Sequence, residues 1–230
     1  MSQTVHISSF ISRIAISFLL LLLSCVETKA QLRLGYERDS IPLFRGFAVS
    51  FDMAGFAEKM LGSHGQIEGA LRLNLHDQYF PIVELGYGIA NHANDAVTSI
   101  TYKTRAPYFR VGADVNIMNK KHTGNRVFLG IRYGFTHYKV DISHPLLKDP
   151  VWKYEEPYNI SGEPCTMQWG EVLFGLDAKI VGPIHLGWSG RYRFRLSHKD
   201  GIMEKTWYVP GYGKQDSSAL GYSFYISFDI

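Results

Sequence analysis

From residue 47 onward, apolar and polar positions alternate one by one in runs separated by stretches rich in glycine, proline and charge. A period of two marks a strand with two unlike faces. The plainest run is 184–196, where Ile184, Leu186, Trp188, Gly190, Tyr192, Phe194 and Leu196 interleave with His185, Gly187, Ser189, Arg191, Arg193 and Arg195. Residues 47–53 set Phe47, Val49, Phe51 and Met53 against Ala48, Ser50 and Asp52. Residues 67–75 set Ile67, Leu71, Leu73 and Leu75 against Glu68, Ala70, Arg72 and Asn74, and 79–90 set Val83, Leu85, Tyr87 and Ile89 against Phe80, Ile82, Glu84, Gly86 and Gly88. Residues 107–116 oppose Phe109, Val111 and Val115 to Tyr108, Arg110 and Asp114, while 127–136 oppose Leu129, Ile131, Tyr133 and Phe135 to Phe128, Arg132 and Thr136. Residues 169–180 carry Val172, Phe174, Leu176 and Ile180 opposite Trp169, Glu171, Leu173, Asp177 and Lys179. The last run pairs Leu220, Tyr222, Phe224, Ile226, Phe228 and Ile230 with Gly221, Ser223, Tyr225, Ser227 and Asp229.

These runs predict eight strands, joined by connections that alternate in length. Those after the second, fourth and sixth strands are short, and those after the first, third, fifth and seventh are long, the longest being residues 141–167 with four prolines. Short turns at one end and long loops at the other characterise outer-membrane barrels, and an even strand number puts both termini in the periplasm. The predicted fold is therefore all-β, an eight-stranded antiparallel transmembrane up-and-down β-barrel.

The two faces decide which side is the interior. The polar faces hold Arg72, Arg110, Arg132, Lys179, Arg191, Arg193 and Arg195 together with Asp52, Glu68, Glu84, Asp114, Glu171, Asp177 and Asp229, and the apolar faces over the same spans hold no charge. Even at the near-interface cost of about 1 kcal/mol per charge, turning these fourteen charges toward lipid would consume a stability of roughly 5–15 kcal/mol. A soluble barrel with its charges outward would bury the apolar face around a ligand, and one with its apolar face outward would expose a belt including Trp188, Tyr192, Phe194, Tyr222 and Phe224, far beyond a soluble monomer's usual apolar patch. The polar faces are expected to line the lumen.

The start of the chain agrees with export. Residues 1–30 read as a signal peptide: Arg13 precedes the apolar run 14–23, too short to span a bilayer as a helix, and Thr28, Lys29 and Ala30 offer a cleavage site before Gln31. A competing reading takes residues 22–25 as a lipoprotein box ending at Cys25, in which Leu23, two positions before the cysteine, is a poor fit. Residues 31–45 are expected to form a periplasmic arm and 46–230 the barrel.

Removing the leader from 24 basic and 21 acidic residues leaves 22 and 20, a near balance with no nucleic-acid footprint. Cys165 is then the one thiol, which excludes an intramolecular disulfide and a cysteine metal cluster. No metal-ligand spacing, phosphate loop or dinucleotide fingerprint is present, so neither metal nor cofactor is expected.

Two chemistries compete for the lumen charges. Arg191, Arg193 and Arg195 could form an anion-binding ladder, since guanidinium forks recognise carboxylate and phosphate. The equal numbers of both signs favour pairing across a side-chain-filled interior, a network of Glu68, Arg72, Glu84, Arg110, Asp114, Arg132, Glu171, Asp177, Lys179, Arg191, Arg193 and Arg195. His92, Asp95 and Ser99 in one long loop and His144 in another hold the ingredients of acyl transfer, though loops are polar by default and no catalytic residue is assigned. Glycines beside aromatics, as at 86–88 and 211–213, are expected to relieve crowding on the inner face.

Residues 79–88 (Tyr-Phe-Pro-Ile-Val-Glu-Leu-Gly-Tyr-Gly), 141–145 (Asp-Ile-Ser-His-Pro), 148–152 (Lys-Asp-Pro-Val-Trp) and 207–214 (Trp-Tyr-Val-Pro-Gly-Tyr-Gly-Lys) resemble a small outer-membrane β-barrel family of Gram-negative bacteria with no assigned function. The resemblance covers residues 40–230 and implies a fold and a compartment, the cell outer membrane, but no activity. The expectation is a non-enzymatic barrel with a charge-paired, plugged lumen, in contact with outer-membrane lipid. It would act on an envelope or extracellular partner through loop aromatics Trp152, Tyr154, Tyr158, Trp207 and Tyr208. An outer-leaflet lipid-modifying enzyme and a narrow pore are the alternatives.

Overall fold

The computed structural model describes residues 41–93, 99–148, 155–199, 201, 206–214 and 216–230. The chain divides into two units, Met1–Ile41 and Pro42–Ile230, and the described residues belong almost wholly to the second. The expected leader and all but the end of the expected arm lie outside the described residues. Phe44 and Arg45, placed in that arm from sequence, already belong to the first strand.

The elements in chain order are β1 (Phe44–Asp52), α1 (Met53–Leu61), β2 (His64–Leu75), β3 (Tyr79–His92), β4 (Thr101–Asn116), β5 (Arg126–Lys148), β6 (Glu155–Val181), β7 (Ile184–Lys199), β8 (Tyr208–Val209), β9 (Gly213–Lys214) and β10 (Ser218–Asp229). Eight of the strands close a barrel in the order β1-β10-β7-β6-β5-β4-β3-β2 with every pairing antiparallel. β8 and β9 form a small hairpin of their own. Both ends of the barrel chain meet at the rim of the short connections, where Phe47 and Ile230 exchange backbone hydrogen bonds of 3.0 and 2.7 Å.

The period-two pattern is reproduced as geometry. Trp188, Tyr192, Phe224, Leu129 and Ile131 are exposed on the outer wall, whereas Phe80, Tyr108, Phe128, Glu84, Arg110 and Glu171 are buried inside. The inner glycines stand opposite large side chains. A side chain at Gly86 would collide with the Tyr108 phenol and one at Gly88 with Pro210.

Three stretches read as loops carry structure. Asp52 leaves β1 and caps α1, accepting from the backbone N–H groups of Ala54 and Gly55, both at 3.2 Å. Residues 141–148 and 155–167 of the third long connection form the outer part of a long β5–β6 hairpin. Beyond Ser143, β5 has lost β4, and before Thr166, β6 has lost β7. Among the described residues these arms have no second strand on their outer edges, where proline is tolerated because no ladder N–H is required of it. Two register shifts, between Val140 and Ile142 and between His144 and Leu147, absorb the irregularity. In the third stretch, the hairpin β8–β9 turns back into the mouth of the barrel, burying Tyr208, Val209 and Tyr212 against Tyr102, Tyr108, Tyr138, Met167 and Trp169.

Candidate functional site

The inner wall is built in layers. At the long-loop end the hairpin β8–β9 sits as an aromatic stopper. The Tyr102 hydroxyl donates to the Tyr208 carbonyl at 2.6 Å, Trp169 meets Tyr212 edge-on with centroids 5.9 Å apart, and Arg193 Nη1 donates to the Tyr212 carbonyl at 2.7 Å. Burial pushes the Tyr208 phenol up to about 12.

Beneath the stopper lies the charged layer, contributed by β2, β3, β4, β5, β6 and β7. Arg110 contacts Glu68, Glu84 at 3.0 Å and Glu171 at 3.5 Å. Arg191 Nη1 reaches Glu84 at 2.8 Å and Glu171 at 3.3 Å. Arg132 grips Asp114 with two nitrogens at 2.7 and 3.0 Å and turns its Nε to Glu84 at 3.1 Å. Arg193 Nε faces Glu171 at 3.4 Å, and the Trp169 indole donates to the same carboxylate at 2.7 Å. The Tyr108 hydroxyl donates to Glu68. Forked contacts of this kind are the geometry at which arginine is best.

Below them Phe128, Leu173 and Tyr225 cluster. The Arg72 guanidinium lies 5.0 Å from the Phe128 ring centroid and reaches Asp177 at 3.2 Å and Asp114 at 3.6 Å. The lowest layer joins Arg126 to Asp229 at 2.5 Å, with His185 between Asp177 at 2.7 Å and Asp229 at 3.3 Å. At the rim, Asp77 in the β2–β3 turn collects Asn74, His122 and Arg45 at 2.7, 2.7 and 3.3 Å. Partial burial raises its carboxyl, but the hydrogen bonds from His122 and Asn74 and the Arg45 guanidinium outweigh that and hold it below the usual aspartate range.

Ten of the twelve residues expected in the lumen network are thus brought together. Lys179 and Arg195 are not: both are exposed. The pairing of β6 with β7 shifts register between Gln168 and Trp169 and again between Lys179 and Val181. Both shifts lie beyond these residues: Arg195 still pairs with buried Trp169 and Lys179 with buried His185, so each keeps the inner-face parity but sits at a rim of the barrel, where solvent reaches it. Conversely, Arg126 and His185 belong to the network and were not assigned to it from sequence. Each shares the inner-face parity of its strand, with Phe128 and with Ser189 respectively, and that parity was the available signal.

The loop aromatics also differ from expectation. Trp152 and Tyr154 lie outside the described residues, as does Asp95, and Tyr158 is exposed on β6. Tyr208 is buried in the stopper, and Trp207 packs beside it, stacked on His92 with centroids 4.6 Å apart. The stopper draws these two aromatics inward because the barrel mouth offers an apolar ring of Tyr102, Tyr138 and Trp169 to bury them against.

A central cavity lined by Ser189, Ser223, Arg132 and Arg191 has a volume of about 20 Å³, room for about one water molecule. A second cavity of about 230 Å³ lies beside the stopper, among Arg193, His64, Lys214 and Tyr222.

Three comparisons with known proteins place the chain. The model of a family described as a domain of unknown function, DUF6048, matches residues 9–230. No curated protein matches. Among solved structures, the crystal structure of Acinetobacter baumannii CarO is similar at 11% identity and a TM-score of 0.39, covering 84% of this chain and 100% of that one. A likeness at that level transfers no function.

Proposed function

Because the chain belongs to the DUF6048 family, whose description names no activity, we propose from the barrel itself that it is a non-enzymatic outer-membrane protein with a sealed lumen. The observation that carries this is the inverted distribution of side chains. The outer wall exposes Trp188, Tyr192, Phe224, Ile131 and Leu129, while the inner wall holds arginines bridged to carboxylates. Water outside would leave an apolar belt far larger than soluble monomers show. Lipid outside satisfies both faces, since barrels are one of the two backbone arrangements that leave no unpaired group in hydrocarbon.

The rim that carries both barrel ends and the short turns is then periplasmic, and the rim with α1, the stopper and the β5–β6 hairpin faces outward. The narrow-pore alternative is disfavoured by the stopper and by a central cavity of about 20 Å³. The role is structural or adhesive, exercised on an envelope or extracellular partner by the projecting β5–β6 hairpin, whose outer edges carry no strand among the described residues and can add one.

Fractionation of cells expressing the full chain, heat-modifiable migration on gels and planar-bilayer recording test the proposal together. Recovery with the outer membrane, a heat-shifted band and no steady conductance are expected. Recovery in the soluble periplasmic fraction would overturn the membrane reading, and steady ion conductance would overturn the sealed lumen.

A further inference from the structure

The barrel wall is incomplete at one place. β1 stops early: its last pairs are Phe51 with Gly69 on β2 and Asp52 with Tyr225 on β10. Both neighbours continue past it, β2 up to His64 and β10 back to Ser218, each paired among the described residues on its far side only, with β3 and β7. A notch is left between them, level with the outward residues Leu220, Tyr222 and Phe224. In hydrocarbon, open strand edges are costly unless something covers them.

The cover is α1. It packs on β2 through two glycines: a side chain at Gly65 would collide with the Lys59 backbone, and one at Gly55 with Gln66 and Asp52. On the other side a hydrogen bond of 2.8 Å from the Tyr222 hydroxyl to Glu58 ties it to β10. Its outward residues Met53, Phe56, Met60 and Leu61 are exposed, so the helix continues the apolar belt across the gap.

Behind this cover lies the cavity of about 230 Å³. Its lining comes from both faces of the wall: Gln66, Arg193 and Gly221 from the inner face, Leu220 and Tyr222 from the outer. The space therefore runs through the wall from the stopper to the belt. Of its charges, Lys214 is exposed at the edge of the stopper, Arg193 is shared with Glu171 and the Tyr212 carbonyl, and Glu58 accepts from Tyr222. His64 adds a buried Nδ1 without a hydrogen-bond partner among the described residues.

We propose that this cavity is a binding site for the anionic head of an acyl-chain amphiphile, a carboxylate or a phosphate ester. The molecule enters sideways from the lipid layer between β2 and β10, and its chain lies along Leu220 and the apolar side of α1. The site rests on the membrane reading above and adds a ligand class to it.

The test uses the full chain folded in a neutral detergent, with native mass spectrometry counting bound lauric acid, dodecyl phosphate and, as the uncharged control, dodecanol. Heat-modifiable migration is scored in the same samples. One stoichiometric adduct of either anionic probe, with little dodecanol, is expected; the probe retained tells carboxylate from phosphate ester. Ala219→Trp fills the cavity from β10, and Lys214→Glu reverses a charge on the exposed edge of the stopper, heat-modifiable migration showing that each variant folds. Each is expected to weaken the adduct at least about tenfold, equivalent to about 1.4 kcal/mol of binding. A folded, heat-modifiable wild type that binds neither anion, or binds dodecanol equally, or binds unchanged in both variants, overturns the site. A wild type that never shows the heat-modifiable form overturns the membrane reading instead, and the site with it.

Discussion

Replacing Arg110 by leucine is expected to destabilise the barrel by about 3–5 kcal/mol, the range for removing one member of a buried ion pair. The guanidinium is fully buried and bridges Glu68, Glu84 and Glu171. At about 3 Å and an effective dielectric near 20, each contact is worth roughly 5 kcal/mol before desolvation is subtracted. Desolvation cancels most of that in the wild type. In Arg110→Leu it is no longer offset, and three carboxylates are left facing one another with Arg191 as their main remaining partner. With a urea dependence of about 1–3 kcal/mol per molar, a loss near 4 kcal/mol moves the unfolding midpoint down by roughly 1–4 M. The assay is urea unfolding of the refolded chain, followed by tryptophan fluorescence. Arg195→Leu and Lys179→Leu serve as controls. Both residues have the inner-face parity but are exposed, so each is expected to change stability by no more than about 0.5 kcal/mol. Adding Glu68→Leu to Arg110→Leu removes one orphaned charge and is expected to restore at least about 1 kcal/mol. If Arg110→Leu shifts the midpoint no further than Arg195→Leu, the charged layer is not a paired structural network.

Asp77 holds its carboxyl below the ordinary range, so its contribution is present above the unfolded value of about 4 and lost as pH falls through the lower folded value. Asp77→Asn is expected to flatten this acid limb in midpoint measurements below about pH 4. Tyr208 behaves oppositely: with its phenol raised to about 12, docking of the stopper is fully supported below about pH 10 and loses roughly 2–3 kcal/mol as pH rises through 12. The Trp207 contribution to the fluorescence, taken as the difference between the chain and Trp207→Phe and read between those values, checks it; a difference flat through that interval would contradict it. Asp52→Ala removes the cap of α1 and is expected to cost about 0.5–2 kcal/mol, seen as faster amide exchange over Met53–Leu61 with β4 and β5 unaffected.

The alternation of apolar and polar residues determined the strands, their number and the side each residue takes. Where a strand crosses a barrel wall, parity alone separates inside from outside, and Glu84, Arg110, Glu171 and Arg191 followed from it directly. What parity could not reach is how far along each strand the sealed interior extends. The β6–β7 register shifts just beyond Arg195 and Lys179, which pair with buried Trp169 and His185 yet lie at the rims and are exposed; nothing in the local pattern marks where the sealed part of the barrel ends, because that is a property of several strands rather than one. Arg126 and His185 were within reach of the pattern, yet which carboxylates they meet depends on strands distant in sequence. α1 was hidden because its nine residues are too few for periodicity to stand out. It forms because β1 ends at Asp52, which then serves as its cap. The stopper shows the sharpest division. Residues 206–214 read as an exposed loop rich in aromatics, and only the closed ring of Tyr102, Tyr138 and Trp169, brought together by three different strands, gives those aromatics a buried place.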